Sequence, residues 1–183
     1  YRREAPRCLV VSGGAADGAA SRRDARKAFL AVRRADAMRA IRYHEFGGPE
    51  VLSLDSVPTL DPAADEVRVQ VVAAGVNPCD ALRREGLWGD RLPLIPGSDL
   101  ATVPMLNVSG SRGDRQGTYA EEIVVRTDRL ASLDDGISFA QGAAVGLVGC
   151  TAWRGLVEFG GLQPGGTCLI HGGTGGVGHV AVQ

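Results

Sequence analysis

Apolar and polar residues alternate along several short stretches in the first two thirds of the chain. The alternation is clearest over residues 66–72, where Val67, Val69 and Val71 would share one face of an extended segment and polar residues would occupy the other. Similar extended segments are predicted at 38–43, 51–54 and 119–125. Glycine- and proline-rich turns separate these segments. The pattern therefore predicts a small, β-rich, barrel-like unit.

The periodicity changes after Gly136. Ser138 followed three positions later by Gln141 is a capping-box signature, which predicts that a helix starts there. Trp153, Leu156 and Val157 have helical spacing and predict a second helix that ends at the next glycine pair. These two helices would link the β-rich unit to the last part of the chain.

The last part of the chain combines strand, glycine-turn and helix signals. A short apolar run over residues 168–170 predicts a strand, and Gly173-x-Gly175-x-x-Gly178 follows it with dinucleotide-binding spacing. A helix beginning in this turn would direct free backbone N–H groups towards a pyrophosphate. The predicted cofactor contacts of this turn are Gly173, Thr174, Gly175, Gly176, Val177 and Gly178. A P-loop is excluded because His179 follows Gly178 where that motif requires lysine.

The composition argues against a membrane-spanning protein and against a protein held together by zinc or disulfides. Hydrophobic residues make up 44% of the chain, yet no apolar run approaches the roughly 18 residues that a membrane span needs, so no membrane association is expected. The four cysteines are far apart and form no CxxC pair, which argues against a zinc ribbon and a disulfide framework. Reduced thiols and a cytoplasmic location are expected.

Charge divides the chain at about Met38. Residues 1–37 carry eight Arg, one Lys and four acidic residues, whereas residues 38–183 carry eleven Arg, no Lys and seventeen acidic residues. A basic leader of this kind is compatible with a transit peptide or a nucleic-acid-binding arm. We favour a disordered or non-native leader with the native start at Met38, and the acidic remainder argues against nucleic acid as a partner.

Several motifs in their chain order resemble those of one enzyme family. They are residues 38–52 (MRAIRYHEFGGPEVL), 73–78 (AAGVNP), 95–99 (IPGSD), 117–121 (GTYAE), 151–153 (TAW) and 171–178 (HGGTGGVG). Together they resemble the zinc-independent, zeta-crystallin-like quinone oxidoreductases of the medium-chain dehydrogenase/reductase superfamily. The resemblance implies an α+β domain followed by an α/β domain. The first would be a GroES-like β-rich catalytic domain with linking helices over 38–160, and the second would be the start of a Rossmann domain over 161–183. Only the first strand, glycine turn and helix start of that second domain would be present.

The resemblance also bears on metal binding. The related zinc-dependent alcohol dehydrogenases use three protein ligands to catalytic zinc. At the matching positions this chain has Asn77 and Ser98, with Leu147 near the place of the third ligand. Cys79 and Cys150 lie off those positions, and the histidines are scattered, so no metal is expected.

The implied activity is hydride transfer from NADPH to a quinone or enone, with NADH not excluded. The resemblance implies catalytic roles for Asn77, Arg84 and Trp88. Asn77 and Thr151 would lie near the nicotinamide, and Arg84 and Trp88 would lie on the segment that lines the acceptor pocket. Each residue also has a structural explanation: Asn77 as a turn residue before proline, Arg84 as a solvated charge and Trp88 as core packing. The residue that separates NAD from NADP, about 20 positions after the glycine turn, is not among the 183.

Two alternatives stay open beside the reductase: a non-catalytic NADPH-binding protein of zeta-crystallin type, and an inactive fragment of the enzyme. The expected partner is a small quinone or enone, and the full-length form is expected to be a homo-oligomer. The chain departs from the family pattern over residues 100–112, which are short and lack the usual alternating run. Gly113-Asp114-Arg115 is either the remnant of the next motif or a chance match, and deletion, frameshift and divergence all remain possible explanations.

Overall fold

The structure is a computed structural model, and it describes residues 37–100, 103–104, 117–130, 133 and 136–183. All of the predicted leader except Ala37 lies outside the described residues, and so do most of the short segment 100–112 and the three residues Gly113-Asp114-Arg115. The strands are β1 (Ala37–Arg42), β2 (Ser53–Pro58), β3 (Glu66–Gln70), β4 (Ala74–Gly75), β5 (Asp99–Leu100), β6 (Val103–Pro104) and β7 (Glu122–Arg126). The α-helices are α1 (Pro78–Arg84), α2 (Phe139–Trp153) and α3 (Gly176–Ala181), with short 3-10 turns at Pro49–Val51 and Thr127–Arg129.

The described strands form three small sheets: β1 with β2, β3 with β7, and β4 with β5 and β6. All pairings are antiparallel. The barrel-like unit predicted from the sequence is thus divided into short ribbons within this part of the chain. An isolated bridge from Ala40 to Ala120 and one from Tyr43 to Leu94 tie β1 to later segments.

Two apolar clusters lie under the sheets. Val69, Ile123, Val125 and Leu130 form one cluster, against which the half-buried Val67 packs. The valines of β3 therefore share a face as the alternation predicted. The second cluster consists of Met38, Ala40, Val57 and Ile95, with Tyr119 and Ala120 packed against it.

Helix α2 confirms the capping-box prediction. Ser138 is its N-cap, and its hydroxyl accepts a hydrogen bond from the Gln141 backbone N–H at 3.3 Å while the Gln141 side chain accepts from the Ser138 N–H at 2.9 Å. The separate second helix is not observed, because α2 continues directly into a π-helical turn, Arg154–Phe159. No proline interrupts residues 139–159, so nothing in the sequence forces a break between the two segments.

The strand predicted over residues 168–170 is also not formed. These residues belong to no strand or helix of the described chain, and α3 begins only at Gly176. A parallel strand needs neighbours on its edges, and the described residues supply none. Within the described part of the chain, no helix is both long and apolar enough to cross a bilayer.

Candidate active site

Helix α1, which the sequence pattern did not predict, organises the polar residues of the site. Asn77 precedes it in an extended conformation and Pro78 is its first residue, as expected because proline restricts the residue before it and suits the first helical position. The Asp80 carboxylate accepts a hydrogen bond from the Asn77 backbone N–H at 2.9 Å. This contact holds Asn77 at the start of the helix and buries Asp80 beside it.

Asp80 is the centre of a buried hydrogen-bond network. Its Oδ1 atom accepts from the Ser98 hydroxyl at 3.0 Å, and its Oδ2 atom accepts from the Tyr119 hydroxyl at 3.0 Å as well as from Asn77. Asp80 is 6% exposed, and Ser98 and Asn77 are 9% exposed. One carboxylate thus joins α1, the segment before β5 and the segment before β7.

A second carboxylate, Asp99, binds the Asn77 side chain. Asn77 Nδ2 donates to Asp99 Oδ2 at 2.6 Å, and β5, which contains Asp99, packs against α2. Asp99 is 1% exposed, and its Oδ1 atom has no hydrogen-bond partner among the described residues. Gly75 allows this approach, because a Cβ there would lie 2.6 Å from the Ala143 carbonyl oxygen and 2.9 Å from Asp99 Oδ2.

The network contains two buried carboxylates whose hydrogen-bond partners are neutral. Burial raises the pKa of Asp99 above its usual range; the hydrogen bonds from Asn77 and Leu147 oppose this shift, and the charge of Asp80 adds to it. Burial, followed by the charge and hydrogen bond of Asp80, also raises the pKa of Tyr119. Arg83 is within electrostatic range of Asp80, but its guanidinium binds Asp90, with Nη2 2.7 Å from Oδ1.

The raised pKa of Asp99 predicts a pH-dependent stability. The folded protein binds the Asp99 proton more tightly than the unfolded chain, so this contribution is complete below the unfolded-state pKa of about 3.9 and is lost as the pH rises through the folded-state value. The free energy of unfolding of the wild type relative to Asp99→Asn should therefore fall with rising pH in urea titrations. Asp128→Asn is the control. Arg126 lowers the pKa of the exposed Asp128, so the free energy of unfolding of the wild type relative to Asp128→Asn should rise with pH. A pH-independent difference for Asp99→Asn would contradict the prediction.

The three positions matched to zinc ligands lie around this network. Asn77 binds Asp99 through its side chain, Ser98 binds Asp80, and Leu147 lies on α2, which packs against β5. An amide, a hydroxyl and an aliphatic side chain do not form the thiolate and imidazole set that zinc prefers. Among the described residues, no group of three or more His, Cys, Asp or Glu side chains could hold a metal ion.

The other two predicted catalytic residues have different surroundings. The Arg84 side chain is 11% exposed, and its Nε atom donates to the Gly47 carbonyl oxygen at 3.0 Å. The Gly47 N–H donates back to the Arg84 carbonyl at 3.1 Å, so Arg84 anchors the loop after β1 to the end of α1. Trp88 is 49% exposed in the turn after α1, which is more exposed than core packing would leave it.

Thr151 lies on α2, one helical turn after Leu147. Its hydroxyl donates to the Leu147 carbonyl oxygen at 2.8 Å, and the residue is exposed. Because α2 packs against β5, which contains Asp99, the helix that carries Thr151 lies beside the carboxylate that holds Asn77. The fold thus connects the two residues that the resemblance placed near the nicotinamide.

The glycine turn closes tightly on the start of α3. Gly172 has a φ angle of +72°, and Gly175 is the N-cap and donates to the Gly172 carbonyl at 2.9 Å. A Cβ at the buried Gly178 would overlap the Gly172 carbonyl group and lie 2.8 Å from the Gly173 Cα. The first hydrogen bond of the helix runs from the His179 N–H to the Gly175 carbonyl oxygen. The N–H groups earlier in the first turn therefore have no acceptor within the helix.

Sequence reasoning missed the residues that assemble the site. Asp99 and Tyr119 lie within two of the motifs but were given no role, Asp80 lies two positions beyond another motif, and α1 was not predicted. The signal was present in Asn77-Pro78-x-Asp80, an N-cap candidate followed by proline and an acidic residue in the first turn. The contact between Asp80 and Tyr119 spans 39 positions, so local pattern could not reveal it.

The chain is similar in sequence and in structure to several oxidoreductases. No protein-family model matches the chain. The quinone oxidoreductase of Homo sapiens is 39% identical over 160 residues, which are 80% of this chain and 49% of that protein. An alcohol dehydrogenase superfamily protein from Novosphingobium aromaticivorans has a TM-score of 0.68 at 38% identity and covers 79% of this chain and 49% of its own.

A mycobacterial protein solved in complex with NADPH has a TM-score of 0.66 at 32% identity, over 79% of this chain and 47% of its own. The chain thus spans about half the length of the relatives it matches. The structural match is to the N-terminal half of such enzymes. Over about 80% of its length, this chain is homologous to the quinone oxidoreductases of the medium-chain dehydrogenase/reductase (alcohol dehydrogenase) superfamily, and it covers about half of those homologues.

Proposed function

We propose that the chain is the catalytic half of an NADPH-dependent quinone or enone oxidoreductase that works without zinc. Residues 38–160 would be its GroES-like domain with linking helices, and residues 161–183 would start its Rossmann domain. The cofactor proposal draws on the relative solved with NADPH and on the glycine turn of this chain. NADH stays an alternative donor, because the residue that distinguishes the two cofactors is not among the 183.

The observation that carries the proposal is the network around Asn77. Where the related dehydrogenases would use metal ligands, this chain has an amide and a hydroxyl, each bound to a buried carboxylate. The Asn77 amide has two N–H donors, and Asp99 accepts from one of them at 2.6 Å. The other can donate to an oxygen that becomes negatively charged when a carbonyl acceptor is reduced. Asp99 and Asp80 would then act as positioning residues, holding the Asn77 side chain and backbone.

The glycine turn fits the phosphate end of a dinucleotide. Before the first helical hydrogen bond of α3, the backbone N–H groups of Gly176, Val177 and Gly178 have no helical acceptor and suit a pyrophosphate. Gly173 and Gly175 have no side chains that would block a close approach of the phosphates. The bound nicotinamide would supply the hydride. This chain would supply the phosphate contacts, and Thr151 would approach the nicotinamide from α2.

A fusion protein can test the proposal. Residues 37–183 would be joined in frame to the second half of the human quinone oxidoreductase, and NADPH oxidation would be followed with a 1,4-quinone, with and without a chelator. We expect turnover that the chelator does not change. Inhibition by the chelator would contradict the zinc-free assignment. Tight NADPH binding without turnover of any quinone or enone would instead favour a non-catalytic nucleotide-binding role.

In the same fusion, Asn77→Ala is expected to lower kcat by about a hundredfold, the usual effect of removing one oxyanion donor, with NADPH affinity little changed. NADPH fluorescence measures binding, and far-UV circular dichroism shows whether the variant is folded. Unchanged kcat in a folded variant would remove Asn77 from the mechanism. A weaker NADPH affinity at constant kcat would assign Asn77 to cofactor binding.

A further inference from the structure

An ion pair fastens the turn that carries Trp88 to the end of α1. Arg83, in the last turn of the helix, donates from Nη2 to Asp90 Oδ1 at 2.7 Å and from Nε to Asp90 Oδ2. The two side chains are 17% and 21% exposed. A two-point contact fixes the orientation of the carboxylate as well as its distance, and partial burial reduces screening by salt. This pair is therefore a firmer link than a fully exposed ion pair.

Residues 86–90, which we call the Trp88 turn, depend on this pair at their far end. The start of the turn is closed by backbone, because the Gly89 N–H donates to the Gly86 carbonyl at 3.1 Å. Residues 90–93 make no backbone hydrogen bond to the described part of the chain. Within that part, Arg83 is also the one side chain with a hydrogen bond or ion pair to the Trp88 turn. The position of the turn after Trp88 is thus set by this contact.

The indole of Trp88 takes its position from the turn that carries it. Trp88 belongs to neither apolar cluster of the described residues. The buried residue in this region is Tyr43, which is 0% exposed and lies within electrostatic range of both Arg83 and Asp90. The ion pair therefore lies beside the ordered interior, and it connects that interior to an aromatic side chain that is not packed in it.

We propose that Arg83 and Asp90 are positioning residues, whose ion pair holds the Trp88 turn so that the indole forms one wall of the acceptor pocket. This inference rests on the proposed function, which supplies a flat quinone or enone as the acceptor. Aromatic rings stack in a narrow range of offset geometries, so a displaced turn would lose contact with a planar acceptor. The pair acts through Trp88 on acceptor binding, and it leaves NADPH binding and hydride transfer to other residues.

Asp90→Asn in the fusion protein tests the pair by kinetics, because it keeps the size of the side chain and removes its charge. We expect KM for a 1,4-naphthoquinone to rise about tenfold, the usual effect of losing a charged hydrogen bond, with kcat changed by less than about twofold. KM for an acyclic enone, which has no ring to stack, should rise less. Asp90→Glu restores a carboxylate and should recover most of the loss.

Fluorescence of the 183-residue chain tests the position of the indole without catalysis. The sequence contains two tryptophans, so Trp153→Phe leaves Trp88 as the single emitter. In this background, Asp90→Asn should lower the fluorescence anisotropy of Trp88, because the turn gains freedom to move. Far-UV circular dichroism shows whether the variant is folded. Should it not fold, Arg83→Lys takes its place, since lysine keeps the charge but cannot make the two-point contact.

Asp128→Asn is the matched control. Arg126 makes the same two-point contact with Asp128, at 3.1 and 2.7 Å, but both side chains are 57% exposed and lie at the end of β7 and in the turn after it. Loss of this pair should leave KM and the anisotropy of Trp88 unchanged. Equal effects of Asp90→Asn and Asp128→Asn would overturn the proposal.

Other outcomes would overturn it as well: unchanged KM or unchanged anisotropy in a folded Asp90→Asn variant, a fall in kcat at constant KM, or no recovery by Asp90→Glu. A fusion without turnover would contradict the proposed function alone. Quenching of Trp88 by the naphthoquinone in the presence of NADP+, taken as the difference from a Trp88→Phe fusion, then decides. Saturable quenching that weakens about tenfold in Asp90→Asn would support the pair as a positioning device, and absence of saturable quenching would overturn it.

Discussion

Replacing Asp80 with alanine is expected to lower the free energy of unfolding by roughly 3 to 5 kcal/mol. The substitution removes the acceptor of three donors at once: the Ser98 hydroxyl, the Asn77 backbone N–H and the Tyr119 hydroxyl. A buried donor left without an acceptor costs about 1 to 3 kcal/mol, and the half-buried Tyr119 can recover part of its loss from water. Urea unfolding measures the effect.

A second readout for Asp80→Ala is the phenol of Tyr119. Burial is the largest cause of its raised pKa, and the Asp80 charge is the next. Removal of the carboxylate should therefore move that pKa part of the way back towards its ordinary value, which an ultraviolet absorbance titration detects. An unchanged Tyr119 titration in a folded variant would show that the hydrogen bond between these two side chains is not formed in solution.

Asp80→Asn and Glu45→Ala serve as controls. Asparagine keeps one acceptor oxygen and can donate to the Ser98 hydroxyl, so a smaller loss of about 1 to 2 kcal/mol is expected. Glu45 is exposed, and its removal should change stability by no more than about 0.5 kcal/mol. If Asp80→Ala costs no more than Glu45→Ala, the network does not hold the site together.

Gly178→Ala is expected to weaken NADPH binding of the fusion protein by at least about tenfold, or about 1.4 kcal/mol, and to destabilise the end of the chain as well. A Cβ at Gly178 would overlap the carbonyl group of Gly172, and backbone cannot move aside as a flexible side chain can. The turn would have to open, which moves the first-turn N–H groups of α3 away from the pyrophosphate. NADPH fluorescence and thermal unfolding measure the two effects.

The Gly173→Ala variant tests whether NADPH binding needs close approach of the backbone to the phosphate, without disturbing the packing of the turn. A Cβ there would lie 3.5 Å from Val182 Cγ1, which is ordinary contact, so the turn should tolerate it. We expect thermal stability close to the wild type but weaker NADPH binding, because the fingerprint requires backbone to approach the phosphate. Equal NADPH affinity for the wild type and both alanine variants would show that this turn does not bind the cofactor.

The local elements of the fold could mostly be predicted from pattern. Alternating valines predicted β3, the segment beginning at Met38 predicted β1, and the Ser138 capping box predicted the start of α2. These signals succeed because strand alternation and helix capping depend on residues a few positions apart. The prediction of two helices was wrong because no signal marks a break inside residues 139–159.

The candidate site was predictable only in part. Asn77 was selected from its motif, and the structure adds that its side chain binds Asp99, 22 positions later. Arg84 was selected in the same way, but the fold directs its guanidinium to Gly47. Whether a polar side chain faces a site or anchors a loop depends on which distant backbone lies beside it, and composition and spacing carry no information about that.

The sequence by itself determined the kinds of element and the resemblance to a family, since short-range periodicity, capping and glycine spacing are local properties. Tertiary structure alone decided that Asp80 and Asp99 are buried around Asn77 and Ser98. It also decided that the described strands pair as three small antiparallel sheets. The physical reason is the same in both cases: burial, the pKa shift it causes and sheet pairing all depend on segments far apart in sequence.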